Sequence, residues 1–406
     1  MKELVKGRLE GLNTQMAEFS AKLDSIRVSK ENIGQLNGLI LEEMRSLGFD
    51  SSETDRFDNT VGIMNGFSHQ QDIALVFHID YPSSDPREAK QAAAHGAGNY
   101  RSGIVSALYT AAVLKRSLLP LTGDLIVCGV PRSACCGFGI KYLFEYFLNK
   151  RVKNLKGIIL CEPTGMNLYL GHKGRMEYEI VVKSHLNSGF LPNQDINMLG
   201  SMFPLLHELE AVSQNLPSNY ALGNSSLRIK DVHFCGFQPS SGTNEFKVLV
   251  DRAYGPEEHQ QNILDRAKSI ATSVYGKDPG LNVRTAVSIE NFKTLSGASV
   301  VSEKDIKPWT IEATHPFVLE SLQALADNGL KAGTGYWKNT VTDGSYTFGE
   351  LGIPTFGFGP ESETQLEGIS KPADMETLKK AVFAQAMMVH RSIGIPTFGW
   401  SSSDEI

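Results

Sequence analysis

Two short runs bring an imidazole and a carboxylate to positions where chemistry is done. His78 ends the apolar stretch Asp72-Ile73-Ala74-Leu75-Val76-Phe77 and stands two residues before Asp80, and Glu162 follows Gly157-Ile158-Ile159-Leu160-Cys161. A lone histidine on an apolar strand is ordinarily a satisfied core residue. One that closes a strand with a carboxylate two residues on is instead a candidate site residue. Arg101 and Arg132 stay cationic at any working pH. They suit either internal pairing with Asp80, Glu162 or Glu367, or the binding of an anionic ligand. Cys135 and Cys136 precede Gly137-Phe138-Gly139 at the start of a helix, where a thiolate is stabilised, although cysteine is equally a small core residue. His95 and His172 read as loop residues rather than ligands.

These residues need a frame that delivers them to one place. The runs 72–77, 125–130 and 157–161 are short and continuously apolar, as strands buried on both faces are. Each ends at a candidate residue, and open α/β sheets place their ligand sites at the carboxyl ends of strands. Helical periodicity covers 2–26 and 31–47, the second stopping at Gly48. After Glu162 the texture changes: 168–182 alternates like a half-exposed strand, followed by a helix over 195–215, strands over 226–234 and 245–250, and a helix over 256–275. Those pieces make a small α+β sandwich. The α/β texture then returns through a helix over 315–328 and the 346–358 region, and a helix over 374–392 closes it. The tail 401–406 reads as loose.

In this order, His78-Ile79-Asp80, Cys161-Glu162-Pro163-Thr164 and Gly357-Phe358-Gly359-Pro360 resemble the motifs of the co-catalytic zinc aminoacylase and carboxypeptidase family that includes acetylornithine deacetylase and succinyl-diaminopimelate desuccinylase. The resemblance runs from about residue 59 to residue 388. It implies a zinc-peptidase-like α/β domain, 1–173 plus 292–406, with an inserted α+β two-layer lid for dimerisation at 174–291. It also implies where metals would be held. His78 and Glu162 match first-metal ligands, and Asp80 matches the carboxylate that orients the imidazole. The stretch 94–103 aligns without a gap and puts Asn99 where a bridging aspartate belongs. Aligned on the glycines, Arg132 replaces the general base and Ser133 a ligand, and Glu367 stands at the spacing of the late histidine. His185 follows the first lid strand, where the family carries a histidine that polarises the substrate carbonyl. Arg252 resembles a lid arginine that binds a substrate carboxylate. Val341-Thr342-Asp343-Gly344-Ser345 resembles the loop that cradles the substrate's α-carboxylate.

Charge then decides what such a site could do. Two divalent cations need nearby anionic oxygens and neutral imidazoles. Here the carboxylates at 99 and 133 are replaced and a cation stands at 132, while the group that would take a proton from metal-bound water is missing. The expectation is therefore a family member that has lost two-metal hydrolysis, binds a small anionic or amino-acid-like ligand, and acts as a binding, regulatory or partner subunit with no cofactor. The vestigial positions would be His78, Asp80, Asn99, Ser133, Glu162 and Glu367. Arg132, with Arg101, would enter the former metal pocket and pair with Glu162 or Glu367. Two other readings stay open. One is a metal-independent enzyme using Arg101, Arg132, His185 and a cysteine on an anionic substrate. The other is a hydrolase of N-acyl amino acids or small peptides with one zinc on His78 and Glu162 and a substitute such as His95 or Glu367.

Composition narrows the setting. With 406 residues and 41% hydrophobic content the chain can bury a sizeable core, and its net charge of −6 and lack of a basic block argue against a nucleic-acid partner. No apolar run reaches the roughly 18 residues that span a bilayer, and the opening residues carry no signal-peptide core, so a cytoplasmic protein without a membrane partner is expected. The five cysteines show no paired metal or disulfide spacing. The lid's exposed edge implies a homodimer, and a catalytic paralogue is a further conceivable partner.

Overall fold

The computed structural model describes residues 1–26, 32–68, 71–79, 101–131, 136–149, 152–185, 198–238, 243–276, 281–363 and 373–395. The chain divides into two compact units, residues 1–171, 293–298 and 310–406 in one and 172–292 and 299–309 in the other. The inserted unit gains 299–309 because residues 305–306 pair with one of its strands, a contact too short to be signalled by periodicity.

The first unit opens with helices α1 (Lys2–Ser25) and α2 (Ile33–Ser46), and α1 buries Val5, Leu9, Leu12, Met16, Phe19 and Leu23 along one stripe at helical spacing. Strands β1 (Ser51–Thr54), β2 (Thr60–Met64) and β3 (Asp72–His78), helix α3 (Arg101–Arg116), and strands β4 (Leu125–Val130), β5 (Leu155–Leu160) and β6 (Leu168–His172) follow. Every residue of β3 and β4 is buried, as their unbroken apolar sequence requires.

The inserted unit contains β7 (Gly174–His185), helix α4 (Met198–Ser213), β8 (Ser226–Gln238), β9 (Thr243–Tyr254), helix α5 (Gln260–Tyr275) and β10 (Leu281–Val287). Its antiparallel sheet runs β8-β9-β7-β10. One face carries Met176, Tyr178, Ile180 and Val182 of β7 opposite Phe246, Val248 and Val250 of β9, packed with Leu205, Leu209, Ile263, Ala267 and Ala271 of the helices. The other carries cross-strand ion pairs, Lys247 to Glu179 at 2.9 Å and Lys183 to Glu245 at 2.7 Å.

The first unit resumes with α6 (Pro316–Asp327), β11 (Thr334–Trp337), β12 (Thr355–Gly357) and α7 (Met375–Ile393). Asp374 caps α7 by accepting from the Thr377 amide at 2.7 Å, which fixes where that helix begins. The sheet order is β1-β2-β4-β3-β5-β12-β6, with β3 parallel to both β4 and β5, and β12 parallel to β5. From β3 the chain passes to β4 on one side and then to β5 on the other. That reversal opens a crevice at the carboxyl end of β3. Among the described residues no helix is long and apolar enough to cross a membrane.

Candidate functional site

His78, the last residue of β3, stands at that reversal. Its Nε2 lies 3.2 Å from Glu162 Oε1 and 3.3 Å from Asp343 Oδ2. The three side chains are at most 1% exposed, so three ionisable groups meet out of water. An assembly of this kind is costly to build and marks functional places.

Close backbone packing sets the two carboxylates. Beyond β5, the Trp337 indole donates to the Pro163 carbonyl at 3.1 Å, and Thr164 Oγ1 accepts from the Gly359 amide at 3.0 Å. A Cβ at Gly359 would stand 2.2 Å from the Glu162 carbonyl oxygen, and one at Gly357 would stand 2.1 Å from the Trp337 ring. The Gly-Phe-Gly-Pro run is therefore a packing requirement that holds Glu162 in place. Asp343 precedes a single helical turn, its carbonyl accepting from the Tyr346 and Thr347 amides at 3.0 Å, while Gly344 donates to Thr342 Oγ1 at 3.4 Å. The loop expected to cradle a ligand carboxylate thus carries an acid that faces His78.

Two further acids emerge that sequence reasoning missed. Glu361 is buried, and that burial pushes its carboxyl up to about 7 against the hydrogen bonds of the Ser102 hydroxyl and the Ala373 amide. Glu363, also buried, accepts from three consecutive amides, those of Lys338, Asn339 and Thr340. Such a run of amides is an anion-binding concavity, filled here by the protein's own carboxylate. Their only signal was a position just after Gly359-Pro360.

The other expected residues fall elsewhere. Asp80, Asn99, Arg132, Ser133, Glu367, His95 and Cys135 lie outside the described residues. Arg101, expected in the pocket, instead bonds Asp24 at 2.9 Å and the Ile26 carbonyl, because the first turn of α3 packs by the end of α1, where an acid and a carbonyl wait. Arg252, expected to bind substrate, shares the parity of Val248, Val250 and Tyr254 and so enters the apolar layer of the inserted unit. There it donates to the Ser226 and Ala253 carbonyls and to Glu258, with 3% exposure. His185 closes β7, its backbone opposite Thr243. Cys136 and Cys161 are buried, and burial pushes the Cys161 thiol up, which suits a core role better than a nucleophile.

The donors can be tested against the metals that the sequence motifs bring to mind. Bonds of 2.0–2.2 Å put neighbouring ligands of a tetrahedral ion roughly 3.3 Å apart. His78 stands at that spacing from each carboxylate, two of the three edges such a site needs, and the position aligned with the bridging acid lies outside the described residues. Among the described residues no three His, Cys, Asp or Glu groups form a complete metal site.

Comparisons with known proteins agree on the frame. No family model matches the chain. The uncharacterized protein YgeY of Escherichia coli is 26% identical over 341 residues, covering 80% of this chain and 81% of its own. The dipeptidase Dug1p of Saccharomyces cerevisiae superposes with a TM-score of 0.67 at 10% identity, over 96% of this chain and 98% of its own. A dinuclear metal-binding peptidase of Bacillus subtilis superposes with a TM-score of 0.64 at 12% identity, over 95% and 99%. The fold is that of these peptidases, which bears out the resemblance read from the motifs.

Proposed function

We propose that this chain is a peptidase-fold protein that has given up two-metal hydrolysis and binds a small amino-acid-like or anionic ligand, in a regulatory or partner role. The observation that carries this reading is that His78, Glu162 and Asp343 meet at the strand ends while the positions aligned with a bridge, a base and a further ligand hold Asn99, Arg132 and Ser133. The replacements at Asn99, Arg132 and Ser133 support it by removing the bridge, the base and a ligand. A second reading, an amide hydrolase with one zinc on His78 and Glu162, is favoured by the ligand-like spacing of those groups.

Elemental analysis of protein purified without chelator, followed by turnover of N-acyl amino acids and dipeptides with zinc or manganese added back, separates the two. Substoichiometric metal and no turnover are expected. Two bound ions per chain would defeat the proposal, and one ion with turnover abolished by Glu162→Gln would select the second reading. We further propose a homodimer through the inserted unit, expected as twice the chain mass in light scattering at micromolar concentration. A monomer mass would reject it.

A further inference from the structure

The inserted unit contains a cavity of about 160 Å³ between α5 and its sheet, at the end of α4. This is close to the engineered cavity size that admits benzene, so there is room for a leucine-sized molecule. Val212, Leu216, Leu227 and Ile270 give it apolar walls. Its floor and mouth are polar. Tyr178 lines it at 1% exposure, and among the described residues its hydroxyl has no hydrogen-bond partner. A tyrosine hydroxyl at such a wall is placed to donate to a ligand. Arg266 lines the mouth on the exposed face of α5 and makes no ion pair among the described residues.

We propose that this cavity is a ligand site for a small apolar carboxylate, with the tail on the aliphatic wall and the carboxylate taken by the Tyr178 hydroxyl and the Arg266 guanidinium. The charges around it favour that class. Arg252 is matched by Glu258, so Arg266 supplies the cation without a built-in partner, and Glu257 at the mouth could accept an ammonium if the ligand carries one. Burial pushes the Tyr178 hydroxyl up to about 12, with Arg252 and Arg266 opposing, so it remains a hydrogen-bond donor at neutral pH. The strand-end cluster takes no part, since every group invoked here belongs to the inserted unit. The site stands independently of the function proposed above.

The test is calorimetric titration of the full chain with 4-methylpentanoate, leucine and 4-methylpentylamine, repeated on Arg266→Ala, Tyr178→Phe and His78→Ala. We expect saturable one-site binding of 4-methylpentanoate, with the amine at least tenfold weaker. Arg266→Ala should weaken it at least tenfold and Tyr178→Phe severalfold, while His78→Ala leaves it unchanged. Leucine binding tighter than 4-methylpentanoate would keep the site and assign Glu257 the ammonium. No saturable binding of any probe, loss on His78→Ala, or indifference to both Arg266→Ala and Tyr178→Phe would overturn the proposal.

Discussion

Buried charge is handled in opposite ways in the two units. In the inserted unit one guanidinium, Arg252, faces one carboxylate, Glu258, and spends its remaining donors on the Ser226 and Ala253 carbonyls. Arg252 lies on β9 and Glu258 in the turn that leads into α5, and their charges balance. In the first unit two carboxylates, Glu162 and Asp343, converge on one imidazole where strands end and loops begin. That cluster gathers two acids and one imidazole out of water. A buried ion pair with filled hydrogen bonds inside a sandwich is architecture, whereas ionisable groups gathered at strand ends mark a site.

The contrast predicts unequal responses to removal of one charge. The largest effect should follow Arg252→Ala, which leaves Glu258 without its partner inside the sandwich and should cost about 3–5 kcal/mol in denaturant unfolding. A loss under about 1 kcal/mol would show that the pair is not structural.

A pH-dependent effect comes next, at the edge of the strand-end region. Because burial raises the Glu361 carboxyl from 4.5 to about 7, the folded state holds its proton more tightly than the unfolded state. Stability from this group is full below the unfolded value and falls as pH rises through 4.5 to 7, by up to roughly 3 kcal/mol. Glu361→Gln should flatten the melting temperature across that window and raise it at pH 8. Parallel profiles for variant and parent would refute this.

The smallest effect sharpens the comparison most. Asp343→Asn relieves one of two like charges at His78 and should be neutral, or stabilising by about 1 kcal/mol, as substitutions at strained functional sites often are. Glu258→Gln, a change of the same kind in the inserted unit, should destabilise. If both lose stability equally in thermal melts, the distinction between site and architecture fails.

Much of the frame was legible because it is periodic. The apolar runs at 72–77 and 125–130 became the fully buried β3 and β4, and the amphipathic stretch at 2–26 became α1. The places of His78 and Glu162 were legible as well, since one closes and the other follows a strand whose end the sequence marks. Asp343 was read as a ligand-cradling residue, and nothing local shows that its loop turns an acid toward a histidine 265 positions away. The placement of Arg252 in the apolar layer was not legible, because motif likeness says nothing of parity, and parity is settled by which strand pairs with β9. Arg101 was misplaced because its partner, Asp24, is distant in sequence.

The sequence by itself determined which segments become buried strands and helices, and that an imidazole and a glutamate stand at the ends of two strands. It also put glycine at 357 and 359, where a Cβ would meet the Trp337 ring and the Glu162 backbone. Hydrophobic period and glycine geometry act within a few residues, so a linear chain displays them. Tertiary structure decided which acids share the imidazole, that Glu361 is buried with a raised carboxyl, and that the arginines at 101 and 252 bond Asp24 and Glu258 instead. Those outcomes depend on partners brought from far along the chain and on the loss of water around them, and burial and charge pairing exist only once the chain has closed on itself.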